Sequence, residues 1–227
     1  MRSVTLTRPD GGTCSALYAE PINPANAPGL VVIQEWWGLN DQIKGVAEQY
    51  AAAGFRTLVP DLYRGKVGLD ASEAEHLMTG LNFADAASQD IRGAVQYLKS
   101  AGTKVGVVGY CMGGALTLLS AVFVPEVDAA VTWYGFPPIE YVDATKIKAP
   151  VMGHFATEDA FFPIAMVDVL EEKFKQAGVT HTIHRYHAKH AFGNETNVNK
   201  PIPVEYDATA AATALDRTLA FLRHNLA

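Results

Sequence analysis

Apolar and polar positions along the chain follow two alternating periods. Gly29–Glu35 (GLVVIQE), Phe55–Leu62, the run from Val105, Ala129–Tyr134, Ala149–Phe155 and Val179–Tyr186 are short and β-branched-rich, the composition of strands buried on both faces of a parallel sheet. Between them lie segments with apolar residues three and four apart. They predict helices from an Asn40/Asp41 cap to about Ala53, over Ala71–Leu81 and Ala84–Leu98, and to about Val122 after the strand that starts at Val105. Two more follow, over about Pro163–Gln176 and Tyr206–Leu226, the last marked by Leu215, Leu219 and Leu222. Ser3–Arg8 and Thr13–Glu20 alternate about Asp10-Gly11-Gly12 and predict an N-terminal hairpin. Strands alternating with helices imply an α/β fold, with a mostly parallel central sheet flanked by helices.

Composition narrows the picture. With 227 residues and 49% hydrophobic content the chain can bury one large core, and residues 1–227 are expected to form a single domain. A net charge of −6 without any Lys/Arg run argues against nucleic acid or an anionic membrane as partner. The N-terminal stretch has no apolar signal core, and no run is long enough to span a bilayer. Cys14 and Cys111 form no disulfide framework, so a reducing, cytoplasmic setting is expected. Cys14, in the second hairpin strand, reads as a packed side chain.

The chemistry concentrates at Lys104–Leu119, KVGVVGYCMGGALTLL. An apolar strand runs into Gly109-Tyr110-Cys111-Met112-Gly113-Gly114 and then into an apolar helix. Small residues two positions either side of a Cys at a strand-to-helix junction are what a nucleophile elbow needs, because strand and helix must approach closely around a strained central residue. Such a turn lifts Cys111 above the sheet edge at a helix N-terminus, where negative charge and a developing oxyanion are favoured. The dinucleotide pattern G-x-G-x-x-G and the P-loop ending G-K-[ST] are both absent.

A thiol nucleophile needs a base, and the base an orienting carboxylate. In α/β-hydrolases these follow the nucleophile in the order acid, then His, each on a loop after a strand. Thr157-Glu158-Asp159-Ala160 follows one strand and supplies the acid, Asp159 or, on spacing alone, Glu158. Ala188-Lys189-His190-Ala191-Phe192-Gly193 follows the next and supplies His190. His181, His184, His187 and His190 recur every three residues, but on a strand that spacing sends successive members to opposite faces, so no metal site is expected. His154, inside a strand, reads as structural. Glu35 ends an apolar strand at the active rim and is expected to face Cys111 and hold the thiol proton at rest. The backbone N–H groups of Met112 and Trp36 are the expected oxyanion donors. Trp36, Trp37, Trp133, Tyr134 and Phe192 suggest an aromatic pocket.

Together, Gln34-Glu35-x-x-Gly38, Pro60-Asp61-Leu62-Tyr63, the Gly109–Gly114 elbow, Asp159 and His190-Ala191-Phe192 resemble the dienelactone hydrolase family of the α/β-hydrolases over nearly the whole chain. The resemblance implies a Cys111–His190–Asp159 triad with Glu35 as the thiol's resting partner. It also implies a carboxymethylenebutenolidase-type activity: cofactor-free hydrolysis of the enol-lactone dienelactone in chloroaromatic breakdown. Characterised dienelactone hydrolases of the family hold the substrate carboxylate with two arginines, and a tyrosine lies in the pocket. Ser72 and Asn194 stand where the arginines would be, and His76 where the tyrosine would be. Either another cation (His76, Arg64 or Lys189) serves, or the substrate is not dienelactone. The expected reaction is hydrolysis of a small carboxylic ester or lactone through a thioacyl-enzyme, by a monomer or small homo-oligomer. The alternatives are hydrolysis of another activated acyl group, such as an aryl ester or thioester, and a non-catalytic binding or redox-sensing role.

Overall fold

The computed structural model describes residues 1–227. Eight strands form one sheet: β1 (Arg2–Thr7), β2 (Thr13–Ala19), β3 (Gly29–Ile33), β4 (Arg56–Pro60), β5 (Val105–Tyr110), β6 (Ala129–Trp133), β7 (Val151–Ala156) and β8 (His181–Tyr186). Their spatial order is β1-β2-β4-β3-β5-β6-β7-β8. β1 pairs antiparallel with β2, and β2 antiparallel with β4, while every neighbour from β4 to β8 is parallel. The expected hairpin is thus the antiparallel edge of a mostly parallel sheet. Its turn is closed by the Asp10 carboxylate, which accepts the Gly12 N–H at 2.8 Å.

Alternation along each central strand sorts the core into two layers. Val31, Ile33 and Val107 point to one face, covered by α4 (Arg92–Lys99), α5 (Met112–Phe123) and α6 (Ile164–Ala177). Leu30, Val32, Val108 and Tyr110 point to the other, covered by α1 (Asp41–Ala52) and α7 (Ala208–Leu226). Helix starts follow local capping chemistry: the side chains of Asn40 and Asp207 accept the N–H groups of Ile43 and Ala210, each three residues on. No helix is long and apolar enough to cross a membrane.

Two stretches differ from the sequence expectation. The helix expected over Ala84–Leu98 is broken into one turn of α3 (Phe83–Asp85), a π-helical segment at Ala86–Ile91, and α4. The wide turn carries Asp90 into the interior. There Arg64 grips both carboxylate oxygens at 2.9 Å and Arg8 lies 3.5 Å away. Periodicity registers the apolar face but not the extra residue. Short 3₁₀ turns at Ile139–Tyr141 and Ala144–Lys146, with no periodic signal of their own, link β6 to β7.

Candidate active site

The elbow is as tight as its glycines allow. A Cβ on Gly109 would lie 2.1 Å from the Gly113 carbonyl oxygen, and one on Gly113 would lie 2.5 Å from the carbonyl oxygens of Ile33 and Gln34. Only hydrogen fits at either position, so β5, the first turn of α5 and the end of β3 converge. Cys111 takes φ 53° and ψ −115°, a conformation L-residues rarely adopt. Two more non-glycine residues with positive φ, Tyr134 (40°) and Ala191 (58°), sit on the same rim.

At that rim the three expected side chains meet. Cys111 Sγ is 3.2 Å from His190 Nε2, and His190 Nδ1 donates to Asp159 Oδ2 at 2.8 Å. Asp159 is itself locked, since its Oδ1 accepts the N–H groups of Phe161 and Phe162 at 2.8 and 2.9 Å. Glu158, the alternative acid, points away to the exposed His187, 3.3 Å distant. Burial alone would push the His190 imidazolium down, but the Cys111 sulfur and the Asp159 carboxylate outweigh it and raise it to about 10. This is the direction expected of an imidazolium hydrogen-bonded to a carboxylate on one side and a sulfur on the other.

The Met112 N–H belongs to the first turn of α5, among the amides a helix leaves without intrahelical acceptors. The Trp36 N–H, in the turn after β3, has no acceptor in the protein. Gly113 brings the two segments together. Tyr63 donates its hydroxyl to the Met112 sulfur at 3.1 Å, tying the loop after β4 to the elbow.

Several expectations are corrected here. Glu35 lies at the rim and lines the same cavity as Cys111, but its carboxylate hydrogen bonds go elsewhere: it accepts Tyr134 Oη–H at 3.1 Å and Asn194 Nδ2–H at 2.8 Å, and Cys111 is paired with His190 instead. Burial pushes the Glu35 carboxyl up, against those hydrogen bonds and the charge on His190. Asn194, placed by sequence among the substrate contacts, is fully buried in that network. Trp133, Tyr134 and Phe192 pack on one another in edge-on and tilted contacts beneath the His190 loop and do not line the cavity. Trp133 falls on the α1/α7 side of β6, where His154 packs against it. His76 is exposed on α2 (Ala71–Thr79). The residues of that helix that reach the cavity are Glu75 and Met78, three apart on one face, whereas position 76 is rotated about 100° from 75.

The cavity above Cys111 has a volume of about 400 Å³. Trp36 and Trp37 line it as expected. Other parts of its wall came without a sequence signal strong enough to single them out: Phe136-Pro137-Pro138 after β6, Phe161-Phe162 after the acid, and Phe83 on α3. For the segments at 136–138 and 161–162, position in the loops after β6 and β7 was the available clue. Two further histidines, His154 and His184, make structural contacts. His154, which burial holds well below the usual imidazole range, bridges Tyr186 and Thr218 at 2.8 and 2.9 Å, and His184 stacks on it. Cys14 is buried beside Arg64 and Asp90, and burial pushes its thiol up to about 12.

The chain is similar to known proteins over nearly its whole length. The model of the dienelactone hydrolase family matches residues 14–226. The protein usf of Aquifex pyrophilus is 34% identical over 210 residues, covering 88% of this chain and 89% of that protein. Carboxymethylenebutenolidase 1 of Cupriavidus pinatubonensis is 30% identical over 231 residues, covering 96% and 95%. Among solved structures, a dienelactone hydrolase-like promiscuous phosphotriesterase from metagenomic libraries superposes with a TM-score of 0.85 at 25% identity, covering 100% of this chain and 99% of that one.

Proposed function

The chain belongs to the dienelactone hydrolase family and is a carboxylic ester hydrolase; within that family we propose that it is a cysteine-dependent hydrolase of small esters or lactones, acting through a thioacyl-enzyme on Cys111. The observation that carries this reading is the unbroken line from Cys111 Sγ through His190 to Asp159, at 3.2 and 2.8 Å.

In the free enzyme His190 takes the thiol proton on Nε2, and Asp159 balances the imidazolium from behind. The thiolate attacks the substrate carbonyl carbon, and the π-electron pair moves onto oxygen. That oxyanion is received by the Met112 and Trp36 N–H groups. One such donor is typically worth about 10²–10³ in rate. Collapse breaks the C–O bond, and the leaving oxygen takes the proton from His190 Nε2, leaving a thioester on Cys111. A water then gives its proton to His190 and attacks the thioester, the C–S bond breaks, and the acid departs with the thiolate–imidazolium pair restored. For a lactone the leaving oxygen stays tethered in the acyl chain.

Glu35 is a positioning residue in this scheme, fixing Tyr134 and Asn194 under the His190 loop. The whole chain acts as one domain, and a reducing, cytoplasmic setting suits its catalytic thiol.

The test is to mix enzyme with p-nitrophenyl acetate, quench, and map acetyl by mass spectrometry. An acetyl thioester on Cys111 is expected, with turnover lower by at least ~10³-fold in Cys111→Ala and His190→Ala. Hydrolysis within tenfold of wild type in folded Cys111→Ala, or acetyl on another residue alone, overturns the proposal. It would also leave open a non-catalytic role for the thiol.

A further inference from the structure

We infer that the acyl pocket takes a neutral, apolar acyl group and rejects one that ends in a carboxylate; this rests on the ester hydrolysis proposed above. The wall over Cys111 is built from Met78, Phe83, Phe136, Phe162, Ile202 and Val204 with the two tryptophans, and no Lys or Arg side chain lines it.

The cations that sequence left as candidates are committed elsewhere. Arg64 is bound through both carboxylate oxygens of Asp90, and Lys189 is paired with Glu205 at 2.5 Å. His76 stands exposed on the outer face of α2. The one uncharged amide side chain in the wall, Asn197, already donates to the Ala191 carbonyl at 3.3 Å.

The ionisable side chains that do line the cavity are acids or belong to the triad. Glu35 is held by Tyr134 and Asn194, and Glu75 has no ion-pair partner. An acyl chain ending in a carboxylate would therefore lose water to an apolar wall, gain no cation, and lie near Glu75. A buried charge without a partner is strongly disfavoured. An alkyl or aryl acyl group meets only surface it can cover favourably.

The inference predicts discrimination by the acyl tail, independent of the reacting carbonyl. p-Nitrophenyl hexanoate and p-nitrophenyl hydrogen adipate share leaving group and chain length and differ in a terminal methyl against a terminal carboxylate. Wild type is expected to favour the hexanoate by at least ~100-fold in kcat/KM, the kind of rejection an unpaired polar group brings. Glu75→Arg places a cation on the same wall and is expected to narrow that ratio at least ~10-fold, mainly through the adipate KM.

A wild-type ratio within tenfold of unity overturns the inference while leaving the hydrolase proposal standing. An unchanged ratio in folded Glu75→Arg removes Glu75 as the excluding charge and overturns that part of it. Hydrolysis of neither ester overturns the hydrolase proposal itself, and this inference with it.

Discussion

Replacing Asp159 by Asn probes the geometry most directly, because the environment of that side chain dictates which way the amide must turn. Asp159 Oδ1 accepts two backbone N–H groups, from Phe161 and Phe162, at 2.8 and 2.9 Å. An asparagine keeps its oxygen there, since an NH2 would face two donors. Its NH2 is then presented to His190 Nδ1. The ring must accept at Nδ1 and carry its proton on Nε2, 3.2 Å from Cys111 Sγ, where it can no longer take the thiol proton. Removing one partner of a buried charged pair typically costs about 3–5 kcal/mol. At about 1.36 kcal/mol per decade this is a loss of about 10²–10⁴ in kcat/KM. The side chain touches no part of the cavity, so KM should change little. The assay is steady-state hydrolysis of p-nitrophenyl acetate, with urea unfolding to confirm that the variant is folded. Glu158→Gln, which alters only an exposed contact with His187, is the control and should retain activity within about twofold. Folded Asp159→Asn within tenfold of wild type, or a larger loss in Glu158→Gln, would refute the assignment of the acid.

Three further expectations follow from the same contacts. The His190 ring, observed by 15N NMR, should titrate near 10 in the free enzyme and much lower in Cys111→Ala, where burial is opposed by Asp159 alone; an unchanged titration would mean the sulfur is not its partner. Glu35 has a folded-state pKa raised above its unfolded value, so the folded state binds the extra proton. Stability therefore falls as pH rises from about 4.5 toward the raised value, by up to about 1.4 kcal/mol per pH unit. Glu35→Gln should remove that fall and gain on wild type across this range in urea unfolding; a constant difference between the two would contradict a raised carboxyl. Gly135→Ala would place a Cβ 1.9 Å from the Cys111 carbonyl oxygen, a backbone atom that cannot swing aside, and should cost about 3–5 kcal/mol of unfolding free energy or prevent folding altogether. Loss of less than about 1 kcal/mol would show that the elbow tolerates a wider spacing.

Much of this architecture was legible along the chain. The two periods set out the strands and helices, and the glycines around Cys111 marked a strand-to-helix turn too tight for side chains. Asp159 and His190 stood in loops after successive strands, in the order this chemistry uses. These features are local: period, turn residues and order are written in neighbouring positions, and burial acts on them wherever the chain packs. What neighbouring positions do not encode is where a loop side chain turns. Trp133, Tyr134 and Phe192 carried the right character for a pocket wall but pack beneath it, because strand parity and the path of the His190 loop put them under the rim. Glu35 reached the expected rim, yet its carboxylate went to Tyr134 and Asn194, residues 99 and 159 positions away, which satisfy a buried acid better than a single thiol can. The cation-free wall likewise exists only after folding, since whether Arg64 or Lys189 faces a substrate depends on Asp90 and Glu205 having claimed them first. Sequence determined the frame and the loops that carry Cys111, Asp159 and His190; packing between distant segments decided what those side chains face.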